Sequence, residues 1–328
     1  MSVLRTSGGR LRTAWRLILF LVIAAGALVV LQIAAALLTG GEGFFFVFLG
    51  SVGTALAFLL ASWLLMERLE GRPVAALGLP LDRLTLPACL RGFGLGVLLM
   101  TAVVGLLAVS GSLRWVADPE APLAVGSLAA SLVGLTAFYF VAGFAEELLL
   151  RGYPLQALAE KTGGTVAIVA TSVVFAALHL FNPGIRPDGS GIGATQGLAL
   201  LNIGLAGGIL GLAYWRTFSL WFATGVHAGW NWLMGFAADL PVSGIEPGVP
   251  GYAFFDTPGW DVVVDGPALW TGGAVGPEGG LAVTGVSVAA LVWLATTDRL
   301  TRSLRVRAMG TLPDAERDGE EAGWTRTS

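Results

Sequence analysis

The chain has 328 residues, of which 55% are hydrophobic and only 12% charged, and its formal net charge is −3. Its mean hydropathy is +0.76, whereas an ordinary soluble domain carries about 25% charged residues. This composition excludes a soluble enzyme and predicts an all-α, polytopic membrane protein. We expect the lipid bilayer as its surroundings and no nucleic-acid partner.

Apolar runs of the length that a transmembrane helix needs, about 20 residues, occur at eight places. They lie at 14–38, 44–66, 92–110, 125–150, 165–180, 196–215, 220–237 and 281–296. The first run is too long for the apolar part of a signal peptide, and no clear cleavage site follows it. We therefore predict about eight transmembrane helices, the first of them uncleaved.

Loop charges predict the orientation, because cytoplasmic loops collect Lys and Arg. With the N-terminus inside, most basic residues fall in cytoplasmic segments. The long loop 239–280 has six acidic residues and no basic one, as expected of an extracytoplasmic segment. Both termini are therefore expected in the cytoplasm, with the protein in a bacterial cytoplasmic membrane.

These patterns divide the chain into five parts. They are an N-terminal two-helix region with a cytoplasmic loop (1–90), a membrane core (91–237), an acidic outer loop rich in Gly, Pro and Trp (238–280), a last helix (281–297) and a disordered cytoplasmic tail (298–328). The outer loop contains GPEGG, which is typical of turns, and we expect it to pack over the exterior mouth. The single cysteine, Cys89, excludes an intramolecular disulfide.

The motif EELLLR places three charged residues in an apolar run of the fourth span. Glu147 and Arg151 are four residues apart on one helical face, so their charges can pair. Glu146 lies about 100° around the helix axis and lacks that partner. A carboxylate in such a pocket can act as a general base for water. For this motif alone, an ordinary ion pair on an interfacial face remains an alternative.

Both histidines of the chain also lie in apolar helical runs. FAALH contains Phe175 and His179, and HAGWN contains His227 and Asn231. Four-residue spacing puts His227 and Asn231 on one helical face, where they could stabilise a developing oxyanion. Phe175 is expected to pack near the site. A single histidine is often a buried hydrogen-bonded residue, but two intramembrane histidines with a carboxylate indicate a functional site.

The depths of these groups agree if the fourth span continues through Arg151 towards Glu160. At 1.5 Å per residue, Glu146 and His179 then differ in depth by about 5 Å. Pro154 and Gly152 could bend the helix and change this estimate.

The motifs EExxxR, FxxxH and HxxxN, in this order on successive helices, resemble those of the CPBP family. These membrane proteins are related to the CAAX prenyl endopeptidase and to bacteriocin-processing and immunity proteins. The resemblance runs from about the third span through the seventh. It implies an eight-helix fold whose intramembrane cavity hydrolyses peptide bonds.

The resemblance also implies roles for the motif residues. Glu146 matches the glutamate that activates water, His179 a histidine that helps to hold this water, and His227 with Asn231 the pair that stabilises the oxyanion. Glu147 and Arg151 match supporting positions. A metal-free mechanism is favoured; the alternative is a metalloprotease whose Zn²⁺ is bound by Glu146, His179 and His227, a ligand set typical of catalytic zinc.

The predicted function is therefore that of an intramembrane protease, which is a hydrolase. Its expected substrate is a membrane-associated protein or peptide, either lipidated or not. Two alternatives belong to other classes. One is a noncatalytic scaffold or bacteriocin-immunity protein on the same fold. The other is a proton- or ion-coupled transporter, since intramembrane carboxylates and histidines also build ion paths; no inverted repeat supports it.

Overall fold

The computed structural model describes residues 4, 10–117, 124–186, 191–245 and 259–300. Within these ranges helices occur at all eight predicted places. The elements are α1 (Thr13–Thr39), α2 (Gly43–Trp63), α3 (Thr85–Val109), β1 (Leu113–Ala117), α4 (Val125–Leu150), α5 (Tyr153–Thr162), α6 (Gly164–Leu178), α7 (Ala194–Thr217), α8 (Leu220–Trp232), β2 (Trp260–Val264), α9 (Ala268–Thr271) and α10 (Leu281–Thr296). The predicted tail lies outside the described residues from 301 onwards.

The helices confirm the prediction of an all-α, polytopic membrane protein. Six helical segments of the described chain are long and apolar enough to cross a membrane. They are Thr13–Thr39, Gly43–Leu69, Thr85–Val109, Val125–Thr162, Gly164–Phe181 and Ala194–Thr217. α8, which continues as a π-helical segment Leu233–Ala237, and the shorter α10 are not among them. The number of eight spans therefore stays a prediction.

The outer surface of the helices is apolar. Large hydrophobic side chains such as Leu37, Phe45, Leu98 and Val109 are exposed along α1, α2 and α3. Soluble proteins rarely expose contiguous apolar surface on this scale. The helices therefore present to lipid a surface that would be unfavourable in water.

A two-stranded sheet, which the sequence analysis did not predict, joins two distant segments. β1 follows α3, and β2 precedes α10; they pair antiparallel, with Leu113 opposite Val264 and Ala117 opposite Trp260. Short strands whose partners are far apart in sequence leave only a weak local pattern. The sheet links part of the predicted outer loop to the end of α3.

The fourth helical segment runs past Arg151 to Thr162, but it is interrupted at the place where Gly152 and Pro154 were expected to bend it. α4 ends at Leu150, and a new helix, α5, begins at Tyr153. Pro154 lies in the first turn of α5, where its missing N–H group costs no helical hydrogen bond. At Gly152 an added Cβ would lie 2.5 Å from the carbonyl oxygen of Leu148, so the turn is too tight for a side chain. The depth estimate based on one straight helix does not apply.

A cluster of charged residues fixes α5 against α1 and the end of the second helical segment. The Arg16 guanidinium contacts the Glu70 carboxylate at 2.8 Å and the Glu160 carboxylate at 2.6 Å. The Tyr153 hydroxyl donates a hydrogen bond of 2.6 Å to Glu70. These contacts set the direction in which the chain leaves the turn after α4.

Glycines allow α3 and α8 to pack with their backbones in contact. On α3, an added Cβ at Gly92 or Gly96 would lie 2.1 Å from a carbonyl oxygen of α8; on α8, one at Gly225 or Gly229 would lie 2.2 Å from a carbonyl oxygen of α3. Small residues four apart on both helices are the usual means of close packing in membranes. The contact fixes α8, which carries His227.

We predict that Gly96→Ala destabilises the protein, because its new methyl group would meet the backbone of α8 rather than a movable side chain. Overpacking of this kind costs about 1–3 kcal/mol. The readout is the melting temperature of purified protein in detergent. Gly94→Ala is the matched control: it lies on the same helix with no atom within 4 Å of the added Cβ. Equal melting temperatures of the two variants would contradict the prediction.

Candidate active site

The last turn of α4 contains a buried ion pair. Arg151 Nη1 lies 2.9 Å from Glu147 Oε1, and both side chains are 0% exposed. Arg151 Nη2 also donates a hydrogen bond of 2.9 Å to the carbonyl oxygen of Gly207 on α7. The predicted pairing of Glu147 with Arg151 is therefore present, and its full burial rules out the alternative of an interfacial face.

Glu147 also contacts the histidine of α8. Its Oε1 atom lies 3.0 Å from His227 Nδ1, so that one carboxylate oxygen is shared by an arginine and a histidine. A carboxylate can only accept here, which makes Nδ1 a donor and turns Nε2 towards the cavity. Gly143, one turn earlier on α4, leaves room for the ring, since an added Cβ would lie 3.3 Å from its Cγ.

The side chain of Glu146, unlike that of its neighbour Glu147, is partly exposed. Its side chain is 41% exposed, and its Oε2 atom lies 3.6 Å from His227 Nε2. Oε2 is buried and has no hydrogen-bond partner. The two adjacent glutamates thus face opposite nitrogens of one imidazole ring, but only Glu146 lies at the wall of a cavity.

His179 lies at the point where α6 becomes a 3₁₀ turn, His179–Phe181. Its Nδ1 atom is 2.8 Å from the carbonyl oxygen of Phe175. A carbonyl can only accept, so Nδ1 carries the proton, and Nε2 is the nitrogen left for a ligand. The backbone of its own helix therefore fixes the orientation of this ring.

Phe175 packs between the charged groups of the site. Its ring meets His179 edge-on at a centroid distance of 4.7 Å and His227 at 5.8 Å. The Arg151 guanidinium lies 4.7 Å from the centroid of the same ring, within the range of a cation–π contact. Phe175 thus holds both histidines apart, as expected of a packing residue.

The four predicted catalytic side chains line one cavity of about 270 Å³. Glu146 comes from α4, His179 from the end of α6, and His227 and Asn231 from α8. Much of the remaining wall is apolar, including Phe138, Leu149, Leu178 and Val242. The structure therefore brings together residues that are up to 85 positions apart in the chain.

Sequence reasoning missed two features of the site. It paired Glu147 with Arg151 but not with His227, because the contact between α4 and α8 is tertiary. It also gave no role to Glu278, which lines a small adjoining cavity with His179 and His227. The only sequence signal for Glu278 was its place as an acidic residue, between Pro277 and Gly279, in a segment predicted to form turns.

Residues 128–233 match the model of the family described as type II CAAX prenyl endopeptidase Rce1-like. This segment is therefore similar to the Rce1-like family. It contains all three motifs and so confirms the resemblance to the CPBP and CAAX protease family, a family of proteases. The match covers less than half of the chain. No curated protein and no solved structure gives a significant match.

The three proposed zinc ligands, Glu146, His179 and His227, line the same cavity. Among the described residues, no group of three His, Cys, Asp or Glu side chains is arranged to hold a metal ion. The metal-free mechanism and the zinc alternative both stay predictions.

Glu147→Gln is expected to lower the thermal stability of the protein strongly, because it leaves the Arg151 charge buried without its counter-charge. Breaking a buried ion pair by changing one partner costs about 3–5 kcal/mol. Thermal unfolding of purified protein in detergent measures the loss. Glu146→Gln is the control, since its carboxylate lies at the cavity and pairs with no arginine. If both variants melted like the wild type, Glu147 would not hold the site together.

Proposed function

We propose that this protein is an intramembrane endopeptidase that hydrolyses a peptide bond of a membrane-associated protein or peptide. The observation that carries the proposal is the common cavity of Glu146, His179, His227 and Asn231. The match of this segment to a protease family supports it. The name of the matched family, type II CAAX prenyl endopeptidase Rce1-like, suggests lipidated proteins as one class of substrate.

In the proposed reaction, Glu146 removes a proton from a water molecule. The water oxygen then bonds to the carbonyl carbon of the substrate, and His179 Nε2 accepts the remaining hydrogen bond of the water. The C–N bond breaks as Glu146 passes its proton to the leaving nitrogen. The products are a carboxylic acid and an amine, and positioned acid–base groups of this kind contribute about 10²–10⁴-fold to rate.

His227 and Asn231 are proposed to stabilise the negative charge that develops on the substrate oxygen. Asn231 can donate through its amide group. His227 already donates through Nδ1 to Glu147, so it can donate through Nε2 only when the ring carries two protons. Glu147 would balance the charge of that ring. Removing one such donor typically costs about 10²–10³-fold in rate.

No metal is part of the proposed mechanism. A glutamate and two histidines can activate water and stabilise the oxyanion directly. The roles of Glu146, His179 and His227 follow from their own protons and lone pairs.

The proposed location is a bacterial cytoplasmic membrane with both termini in the cytoplasm. Support comes from the loop charges. If the helices alternate in direction, most basic residues fall on the cytoplasmic side, where Arg16, Glu70 and Glu160 would also lie. The predicted outer loop would then cover the other end of the helices.

Cells that carry the wild-type protein are expected to contain new protein termini that are absent with Glu146→Ala. The general base is lost in this variant, while the ion pair of Glu147 is kept. Mass spectrometry of termini in membrane fractions, at matched expression, makes the comparison and identifies the substrate.

The matched control is Glu67→Ala, which removes an exposed carboxylate and should leave the termini unchanged. If wild type and Glu146→Ala gave identical termini although both proteins were folded, the endopeptidase proposal would be wrong. The scaffold or immunity function would then take its place.

Chelation should leave the activity of the purified protein unchanged under the metal-free mechanism. The assay is cleavage of the substrate that the termini identify, before and after treatment with EDTA or phenanthroline. Abolished cleavage that added Zn²⁺ restores would overturn the metal-free mechanism and leave the assignment as a peptidase intact.

A further inference from the structure

Glu278 is a buried carboxylate outside the Rce1-like segment. It lies in a 3₁₀ turn, Pro277–Gly279, immediately before α10, and only 5% of it is exposed. Its side chain lines a cavity of about 30 Å³ together with His179, His227 and Asn231. Glu278 thus borders the predicted catalytic groups, although it lies more than 40 positions beyond the end of the family segment.

Two helices hold the backbone of this turn in place. The amide of Asn202 on α7 donates hydrogen bonds of 2.7 Å to the Glu278 carbonyl oxygen and 3.0 Å to that of Gly280. The Thr284 hydroxyl on α10 in turn donates a bond of 2.7 Å to the Asn202 side-chain oxygen. Because these groups are fixed from both sides, the Glu278 side chain projects from a rigid base.

The carboxylate also fixes the opposite wall of the cavity. Glu278 Oε2 accepts a hydrogen bond of 2.7 Å from the Ser243 backbone N–H. Asn182, three residues after His179, donates through its side chain a bond of 2.8 Å to the Ser243 carbonyl oxygen. Ser243 itself has a φ of +52°, an uncommon conformation for a residue with a side chain. These bonds connect the turn of His179 to Glu278.

Two histidines border the cavity that Glu278 lines: His179 at the end of α6 and His227 on α8. Burial raises the pKa of Glu278, whereas His179, the hydrogen bond from the Ser243 N–H and His227 lower it. A buried carboxylate beside an imidazole stabilises any positive charge that the ring takes up.

We propose that Glu278 is a positioning residue of the active site, which holds the Ser243 wall and acts as counter-charge for His179. Glu147 bonds directly to His227, whereas Glu278 would act on His179 across the small cavity that both residues line. The role in turnover rests on the proposed endopeptidase function, whereas the electrostatic effect on His179 does not. The segment before α10 would accordingly be part of the enzyme, although it lies outside the matched domain.

The test compares Glu278→Gln and Glu278→Asp in the full-length protein. Gln keeps the size and the acceptor for Ser243 but removes the charge, whereas Asp keeps the charge and shortens the side chain. Asp265→Asn, an exposed acid earlier in the same loop, is the control. Melting temperatures identify any variant that fails to fold, and in that case the remaining variant is compared with the wild type.

The first readout needs no substrate. The chain has only two histidines, so ¹⁵N-histidine labelling gives spectra of two rings, which a His179→Gln variant assigns. We expect Glu278→Gln to shift the ¹⁵N signals of His179 more than those of His227, and Asp265→Asn to shift neither. If the His179 signals did not move in folded Glu278→Gln, the proposal that Glu278 acts as counter-charge for His179 would be wrong.

The second readout is the cleavage rate of the substrate identified by Glu146-dependent termini. Glu278→Gln is expected to lower kcat by about 10- to 100-fold, a loss typical of misplaced catalytic groups, with KM within about two-fold. Glu278→Asp should retain more activity than Glu278→Gln. If Glu278→Gln cleaved like the wild type while Glu146→Ala was inactive, the positioning role alone would be overturned. If Glu146→Ala also cleaved normally, the proposed function itself would fail.

Discussion

The buried carboxylate of Glu147 is the interaction on which the arrangement of the site depends. A charge that is fully removed from solvent is stable only when it is paired and hydrogen-bonded, and Glu147 meets this need with Arg151 and His227 at once. Arg151 in turn binds the backbone of α7 at Gly207. Three helices are thereby tied to one carboxylate, and its neighbour Glu146 is left at the cavity wall.

Close packing of α3 and α8 supports this arrangement from the other side. The glycines at 225 and 229 enclose His227 in sequence, and both meet the backbone of α3. α8 cannot rotate about its axis without losing that contact, so the ring of His227 faces α4. The imidazole of His227, with a carboxylate near each nitrogen, is thus positioned by backbone packing that involves no polar side chain.

The enzyme proposed here extends beyond the segment that matches the family. The turn before α10 is held by Asn202 of α7 and brings Glu278 to the side of His179. Its glycine-rich sequence allows the tight backbone path that this approach requires. The turn Pro277–Gly279 is therefore part of a wall of the site, and variation in this turn could adjust the environment of one histidine without changing the motifs.

The sequence by itself determined the membrane class, the places of the helices and the motif residues, because apolar run length and four-residue spacing are local properties. It also predicted the pair of Glu147 and Arg151, which lies within one helix. Pro154 and Gly152 indicated a bend in the fourth span, which is also a local property. Only the tertiary structure decided the contact of Glu147 with His227 and the position of Glu278. These features depend on contacts between segments far apart in the chain, and such contacts leave no periodic pattern from which they could be read.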